Sequence, residues 1–376
     1  MVGSRPEVSP GAYDVRKSAA PQTRLLSLDV FRGLTIASMM LVNNSGRDAY
    51  APLHHAQWHG WTFTDMVFPF FLWICGVSMT FSFARRVEEG ADRGRLLLHT
   101  LRRAAIIFAL GLFLNGFPSY HLATLRIPGV LQRIAICYLV AGIVLLYCSR
   151  RMQGIAILAC LLGYWALLSW VPVPGYGAGV LERQGNLQQY IDGMFLTGHM
   201  YSGTKTYDPE GIVSTIPAVA TILFGVMTGH LLRSPLGTLE KLVWIFFSGN
   251  VLIFLGVFWD KVLPINKNLW TSSYAVFMAG LALAVFGCCY WIIDVKGWKR
   301  WCRPFAIYGS NAIAVYVIAG LHSRLIGMFQ LQPPIYNALL QLLSPPNAAL
   351  AYAMLHVLLL YLVAWGLYRK GWFLRI

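Results

Sequence analysis

The segment 66-MVFPFFLWICGVSMTFSFA-84 contains no charged side chain and consists largely of aromatic and aliphatic residues. A helix needs about 20 consecutive apolar residues to cross the hydrocarbon core of a bilayer. The whole chain has the same character, because 57% of its 376 residues are hydrophobic and only 12% are charged. A soluble domain usually carries roughly 25% charged residues. The segment therefore predicts a transmembrane helix in a protein that is embedded in lipid.

Similar apolar segments recur along the chain and predict an all-α, polytopic integral membrane protein of about ten transmembrane helices. The predicted spans are residues 25–42, 66–84, 104–117, 129–147, 155–171, 212–232, 242–259, 269–293, 305–321 and 349–368. The third span is short, and we expect it to begin nearer Leu97. Residues 326–343 are interrupted by Pro333 and Pro334, which favours a re-entrant or interfacial segment.

Basic residues are distributed unequally between the two sides of these spans. With the N-terminus in the cytoplasm, the cytoplasmic segments hold 21 of the 30 Lys and Arg residues and the opposite side holds 8, while Arg32 lies near the start of the first span. Cytoplasmic loops are normally enriched in Lys and Arg. The bias predicts that both termini are cytoplasmic, with a disordered tail at 1–24 and one transmembrane domain at 25–376.

The net charge of +15 does not predict binding to nucleic acid, because the basic residues form short clusters between apolar segments. The seven cysteines form no CxxC pair, which argues against a thiolate metal site. Walker, GxSxG and HExxH motifs are also missing from the sequence. Soluble catalytic scaffolds of the common kinds are therefore excluded.

The densest polar cluster joins the first two spans and contains Asn43, Asn44, His55, His59 and Asp65. Histidine suits proton transfer near neutral pH, and a carboxylate beside it can orient it as a base. Asparagine amides can stabilise an oxyanion during acyl transfer. The same cluster is also compatible with a polar turn at the membrane interface. A metal site formed by the two histidines and Asp65 is disfavoured by the turn-like surroundings, and we predict no metal.

Other polar side chains fall at the edges or in the interior of predicted spans. Asp29 and Arg32 are three residues apart on one predicted helix face, where they can form an ion pair or serve function. A buried Arg133 needs a partner such as an outer carboxylate or an anionic ligand. The remaining candidates for the same outer cavity are Asp208, Glu210, Lys267, Asn268 and Asn311. Helix capping is the simpler explanation for Asp208.

Five ordered motifs resemble the heparan-α-glucosaminide N-acetyltransferase family. They are LSLDVFRG (26–33), HAQWHG (55–60), RIPGVLQR (126–133), YDPEG (207–211) and NKNLW (266–270), and the resemblance extends over nearly the whole chain. The lysosomal members add an N-terminal lumenal extension, which we expect this protein to lack, as the bacterial relatives do. We therefore expect a bacterial relative in the inner (plasma) membrane.

The resemblance implies transfer of acetyl from cytosolic acetyl-CoA to the amine of a glucosamine-type sugar or glycan on the outer side. His55 matches the family's catalytic histidine, and Trp58 matches the tryptophan of the same motif. Asn43 matches the family's asparagine after the first span, and Glu210 matches the glutamate of its DPEG motif. His59 stands where the family often has asparagine, so a share of His59 in proton transfer stays open.

Several alternatives remain open at this stage. His55 can act as a base or carry the acetyl group covalently. Arg102, Arg103 and Arg303 can meet the CoA phosphates or serve only as positive-inside residues. A transporter of N-acetylglucosamine or a related amino sugar is the alternative function, and a membrane scaffold is disfavoured by the many buried polar groups. A homodimer is possible.

Overall fold

A computed structural model describes residues 25–373, so the predicted tail at 1–24 lies outside the described residues. Within this range thirteen α-helices form and the only β-type pairings are two isolated bridges. The helices are α1 (Leu26–Asn43), α2 (Phe63–Glu88), α3 (Arg93–Gly116), α4 (Val130–Tyr147), α5 (Arg150–Trp170), α6 (Leu187–Phe195), α7 (Thr215–Leu232), α8 (Thr238–Trp259), α9 (Ser272–Tyr290), α10 (Cys302–Ser310), α11 (Ala312–Met328), α12 (Gln332–Leu340) and α13 (Pro345–Arg369). A π-helical segment, Trp291–Val295, extends α9.

The predicted all-α, polytopic membrane fold is confirmed. Among the described residues, nine helices are long and apolar enough to cross a membrane. The number rises to ten if α10 and α11, which bend by 80° at their junction, form a single broken span. The predicted orientation of the two termini stays a prediction.

Two predicted boundaries change for identifiable physical reasons. Helix α3 begins at Arg93 rather than near Leu97, because the side chain of Asp92 caps the helix by accepting from the backbone N–H of Arg95 at 2.8 Å. The basic residues of this first part therefore lie within the helix. The predicted span 305–321 is interrupted at Asn311, whose side chain donates to the backbone carbonyl of Trp372 at 3.0 Å.

The segment with two prolines forms a helix of its own. Pro333 and Pro334 lie in the first turn of α12, where a missing N–H costs little, and none of the residues of this helix is buried. Tyr336 of α12 donates to the carboxylate of Asp48 at 2.7 Å and so ties the helix to the loop that follows α1.

Helix α2 is among the most deeply buried spanning helices and contacts α1, α4, α7 and α9. Its contact with α7 is close, since a Cβ added at Gly76 would lie 2.0 Å from the carbonyl oxygen of Ile222. The reciprocal position is Gly225, where a Cβ would lie 2.0 Å from the carbonyl oxygen of Trp73. Glycine at both positions lets the two backbones touch, as in other membrane helix pairs.

We predict that Gly76→Ala lowers the free energy of unfolding by about 1–3 kcal/mol, because the methyl group forces α2 and α7 apart. Thermal unfolding of the detergent-solubilised protein measures the effect. Gly163→Ala on α5 is the matched control, since a Cβ there meets nothing within 4 Å. Equal melting temperatures for the two variants would contradict the predicted backbone contact.

Candidate functional site

His55 and Asp65 form a hydrogen-bonded pair at one end of the helical bundle. Nδ1 of His55 lies 2.6 Å from Oδ1 of Asp65, so the carboxylate assigns the ring proton to Nδ1 and leaves the lone pair on Nε2. The His55 side chain is 54% exposed, whereas that of Asp65 is 1% exposed. The pair therefore presents an oriented, accessible nitrogen that can accept a proton.

Asp65 is fixed because it belongs to the first turn of α2. Its Oδ2 accepts the backbone N–H groups of Ala56 and Thr62, each at 3.0 Å. Together with the side chain of Thr62 it completes a capping box at the start of the helix. The phenol of Tyr274 holds the same turn by donating to the Asp65 carbonyl at 2.7 Å. One carboxylate thus begins α2 and positions His55.

The NKNLW loop, residues 266–270, lies against the loop that carries the HAQWHG motif, residues 55–60. The backbone N–H of Gly60 donates to the carbonyl of Ile265 at 2.7 Å. Nζ of Lys267 consequently lies 3.2 Å from both ring nitrogens of His55 and 3.9 Å from Oδ1 of Asp65. Burial lowers the pKa of Lys267, and the carboxylates of Asp65 and Glu210 oppose this shift.

His59 contacts different residues from those of the His55–Asp65 pair. Its Nδ1 lies 3.4 Å from the amide nitrogen of Asn266, and its Nε2 lies 3.8 Å from the carboxylate of Glu182. Within residues 25–373, no three His, Cys, Asp or Glu side chains are grouped so as to hold a metal ion. His59 thus pairs with an acidic side chain that is 77% exposed at the rim of the site.

The DPEG turn is organised by Arg126, a residue that sequence reasoning did not select. Its guanidinium donates to both oxygens of Asp208, at 2.8 and 2.6 Å, and to Glu210 at 2.6 Å. The two carboxylates raise the pKa of Arg126, although burial opposes them. Asp208 does not cap a helix. It also accepts the backbone N–H groups of Tyr201 and Glu210 and is fully buried. The sequence offered one indication of this role, because Asp208 and Glu210 are two nearby carboxylates that need a basic partner.

A second buried carboxylate, that of Asp192 on α6, holds the backbone of the DPEG turn. It accepts the backbone N–H of Asp208 at 3.1 Å and that of Ile212 at 3.0 Å. Gly211 must be glycine here, because a Cβ would lie 2.2 Å from an Asp192 oxygen. Burial raises the pKa of Asp192 to about 6, and the two N–H groups work against that increase.

Arg133 has a partner of a different kind from the one expected. Its guanidinium donates to the hydroxyl of Ser214 and to the carbonyl of Gly211, and its carbon Cζ lies 5.1 Å from the centre of the Trp270 ring. A hydroxyl, a carbonyl and an aromatic face, rather than a carboxylate, satisfy part of this buried guanidinium, and the anionic ligand stays a prediction.

A cavity of about 560 Å³ lies at the opposite end of α2, and we call it the arginine cavity. Its cationic and imidazole lining consists of Arg32, Arg85, Arg86, His99 and Arg103. The Nε atoms of Arg86 and Arg103 are buried without a hydrogen-bond partner among the described residues. The predicted ion pair between Arg32 and Asp29 is present at 3.1 Å. Such a cavity is suited to an anion with several charges.

The other candidates from the sequence lie in more varied places. Trp58 is buried against Tyr207 and Leu269, and its indole donates to the carbonyl of Leu181 at 2.9 Å. The backbone carbonyl of Asn268 accepts from Gln188 at 3.1 Å. Asn43 is exposed at the end of α1.

Four predicted residues do not join the groups proposed for them. Asn44 donates to the carbonyl of Met40 at 2.7 Å, which places its amide at the end of α1. Asn311 lies between Ser310 and Ala312, which line the arginine cavity, rather than near His55. Of the three arginines expected to meet CoA, Arg103 lines the cavity, whereas Arg102 and Arg303 are exposed and lie outside its lining.

Comparison with known proteins adds an independent finding. Residues 24–257 match the profile of the family described as heparan-alpha-glucosaminide N-acetyltransferase, catalytic. The protein of that name from Homo sapiens is 30% identical over 367 residues, which cover 83% of this chain and 54% of the human protein. The Mus musculus protein is 29% identical over 364 residues, or 81% of this chain and 54% of the mouse protein. The chain thus spans about half the length of these curated relatives.

We predict a pH-dependent contribution of Asp192 to stability. Because its folded-state pKa is raised to about 6, the folded protein binds more protons than the unfolded chain between about pH 4 and 6. The contribution of Asp192 to stability therefore falls as pH rises through this window and is constant above it. As pH rises from about 4 to 6, the melting temperature of Asp192→Asn should fall less than that of the wild type in thermal unfolding.

The control for this prediction is Glu182→Gln, which changes a carboxyl group that is 77% exposed. This variant should follow the wild-type pH dependence. Parallel pH curves for Asp192→Asn and the wild type would show that Asp192 does not titrate in this range.

Proposed function

The chain belongs to the heparan-alpha-glucosaminide N-acetyltransferase family, and we propose that it transfers acetyl from acetyl-CoA to the amine of a glucosamine-type sugar across a membrane. The observation that carries the proposal is the arrangement along α2. The His55–Asp65 pair lies at its first turn, and the arginine cavity lies around its last turns. A protein with one site at each end of a membrane-spanning helix can receive one substrate from each side of the bilayer.

At the acceptor end, His55 is the general base. Its Nε2 takes a proton from the attacking amine, while Asp65 keeps the ring oriented and stabilises the imidazolium that forms. Glu210, placed by Arg126, is the carboxylate that orients the amino group of the sugar. Glu182 and His59 lie at the rim and are available to sugar hydroxyls.

At the donor end, the arginine cavity is our proposed site for the nucleotide part of acetyl-CoA. The unpaired Nε atoms of Arg86 and Arg103 supply buried cationic donors, which is the chemistry that phosphate groups require. Acetyl-CoA would supply the thioester that is attacked. The cavity also reaches Phe71, which precedes Arg86 by fifteen residues, or about 22 Å along α2. From Arg86 to Phe71 the cavity runs toward the end of α2 that holds His55, and this length suits the extended arm of acetyl-CoA that carries the thioester.

The distribution of basic residues supports an orientation for this scheme. It favours the arginine cavity facing the cytosol, where acetyl-CoA is found, and His55 facing outward. We propose the bacterial inner membrane as the location and an outer amino sugar or glycan as the acceptor. A homodimer is also proposed, on the basis of the family resemblance.

We predict that His55→Ala lowers kcat for acetyl transfer to glucosamine or a glucosamine oligosaccharide by about 10²–10⁴-fold, since the base is removed. The assay measures acetylated product from acetyl-CoA with purified protein. His54→Ala is the matched control, because His54 is adjacent but bonds to the carbonyl of Ala49 at 3.0 Å. Uptake of labelled N-acetylglucosamine into proteoliposomes, without any acetyl transfer, would favour the transporter instead.

We also predict that Arg103→Gln weakens CoA binding by roughly tenfold or more, because a buried charge-assisted hydrogen bond contributes about 1.5–3 kcal/mol. Isothermal titration of CoA into the purified protein measures the change. Arg102→Gln, the exposed neighbour on the same helix, is the control and should bind as the wild type does. Arg103 also stacks on Tyr138 at 4.9 Å, so Arg103→Lys, which keeps the charge, separates binding from packing.

A further inference from the structure

The position of Lys267 relative to His55 is unusual and informative. Its Nζ is equally distant, at 3.2 Å, from Nδ1 and Nε2 of the ring. A donor on the in-plane lone pair of Nε2 would lie much farther from Nδ1, and an in-plane position between the nitrogens would collide with Cε1. The ammonium therefore lies over the face of the imidazole. The in-plane lone pair of Nε2 stays open to an incoming amine.

This location is where negative charge would develop in the proposed reaction. An amine that gives its proton to Nε2 must bond to a carbonyl carbon just beside the ring. The carbonyl oxygen of that group becomes negatively charged as the bond forms, and a fixed cation nearby stabilises it. We propose, on the basis of the proposed function, that Lys267 is the catalytic cation that stabilises the thioester oxygen during attack.

The asparagines are less well placed for this role. The side-chain amide of Asn44 already donates to the carbonyl of Met40 at 2.7 Å, and Asn43 is exposed at the end of α1. Lys267, in contrast, is in direct contact with the proposed base.

The surroundings hold Lys267 in place before any substrate arrives. Its side chain is 17% exposed, and the negative charges of Asp65 and Glu210 act on it. The loop that carries it is closed by the backbone N–H of Leu269, which donates to the side chain of Asn266 at 2.9 Å. A cation fixed in this way needs little reorganisation during the reaction, which is what makes such groups effective.

The chemical step balances without a change in the protonation of Lys267. The amine nitrogen bonds to the carbonyl carbon and its proton passes to Nε2 of His55. The C–S bond then breaks, and the leaving thiolate takes the proton from His55. The products are the acetamide and free CoA, and Lys267 retains all its protons.

The first test compares Lys267→Gln and Lys267→Arg with Lys261→Gln, a change at an exposed lysine elsewhere in the connection between α8 and α9. For Lys267→Gln we expect kcat to fall by about 10²–10³-fold with little change in KM for acetyl-CoA. Lys267→Arg, which keeps the positive charge, should recover much of the rate, and Lys261→Gln should match the wild type. A wild-type kcat in Lys267→Gln, or equal losses in Lys267→Gln and Lys267→Arg, would overturn the proposal.

The second test needs no substrate. Diethylpyrocarbonate modifies neutral imidazole, and peptide mass spectrometry measures the rate at His55 with His54 as an internal reference. A cation 3.2 Å from both ring nitrogens repels a proton on the ring, so Lys267→Gln, which removes that charge, should slow modification of His55 several-fold, whereas Lys267→Arg should not. An unchanged rate at His55 in Lys267→Gln would refute the contact. If the wild type transfers no acetyl group, the proposed function fails, and this second test still decides whether Lys267 acts on His55.

Discussion

The buried carboxylate of Asp65 is the group on which the rest of the site depends. One of its oxygens accepts backbone N–H groups at the start of α2, and the other holds His55. A carboxylate that is 1% exposed is costly unless its lone pairs are satisfied, and here several donors satisfy it. Because α2 contacts four other spanning helices, the imidazole is fixed to the core of the bundle and not only to a loop.

The loops around the His55–Asp65 pair owe their positions to hydrogen bonds and charges more than to apolar packing. Gln188 on α6 illustrates this, because its side-chain amide donates to the carbonyl of Asp208 at 2.6 Å and to that of Asn268 at 3.1 Å. It thereby joins the DPEG turn to the loop of Lys267. Arg126 and Asp192 hold the same turn from two further directions. Removing one partner from such an arrangement leaves another charge buried and unpaired, which costs more than a lost contact.

Hydropathy predicted the membrane spans well because the cost of exposing polar groups to lipid depends on local composition. It could not predict that Asn311 would bond to Trp372, since that contact joins residues that are distant in the sequence. The same limit applies to the site. Resemblance singled out His55 and Glu210, and local chemistry singled out Asp65, but neither assigned Arg126 to two carboxylates more than eighty residues away. Only the fold distinguishes it from Arg133.

Adjacent arginines show the same limit on a smaller scale. Arg102 and Arg103 look equivalent in the sequence, yet successive residues of a helix point about 100° apart. Arg103 therefore lines the arginine cavity, whereas Arg102 lies outside its lining. Positive-inside bias predicts that both lie near the cytosol and contains no information on which one turns inward.

Buried aromatic side chains of α2 lie between the His55–Asp65 pair and the arginine cavity, and they have a consequence for the proposed reaction. Phe71 lines the arginine cavity six residues, or about 9 Å, from Asp65, and Phe68 packs against Trp270 with ring centres 5.0 Å apart. Moving phosphate charges past these aromatic side chains would carry a large desolvation cost, whereas a thioester and its uncharged arm would not. The arginines would therefore retain the nucleotide on one side while only the acetyl-bearing end reaches His55. In the proposed reaction, this separation of charge along α2 would let an acetyl group cross the membrane while its carrier stays on the other side.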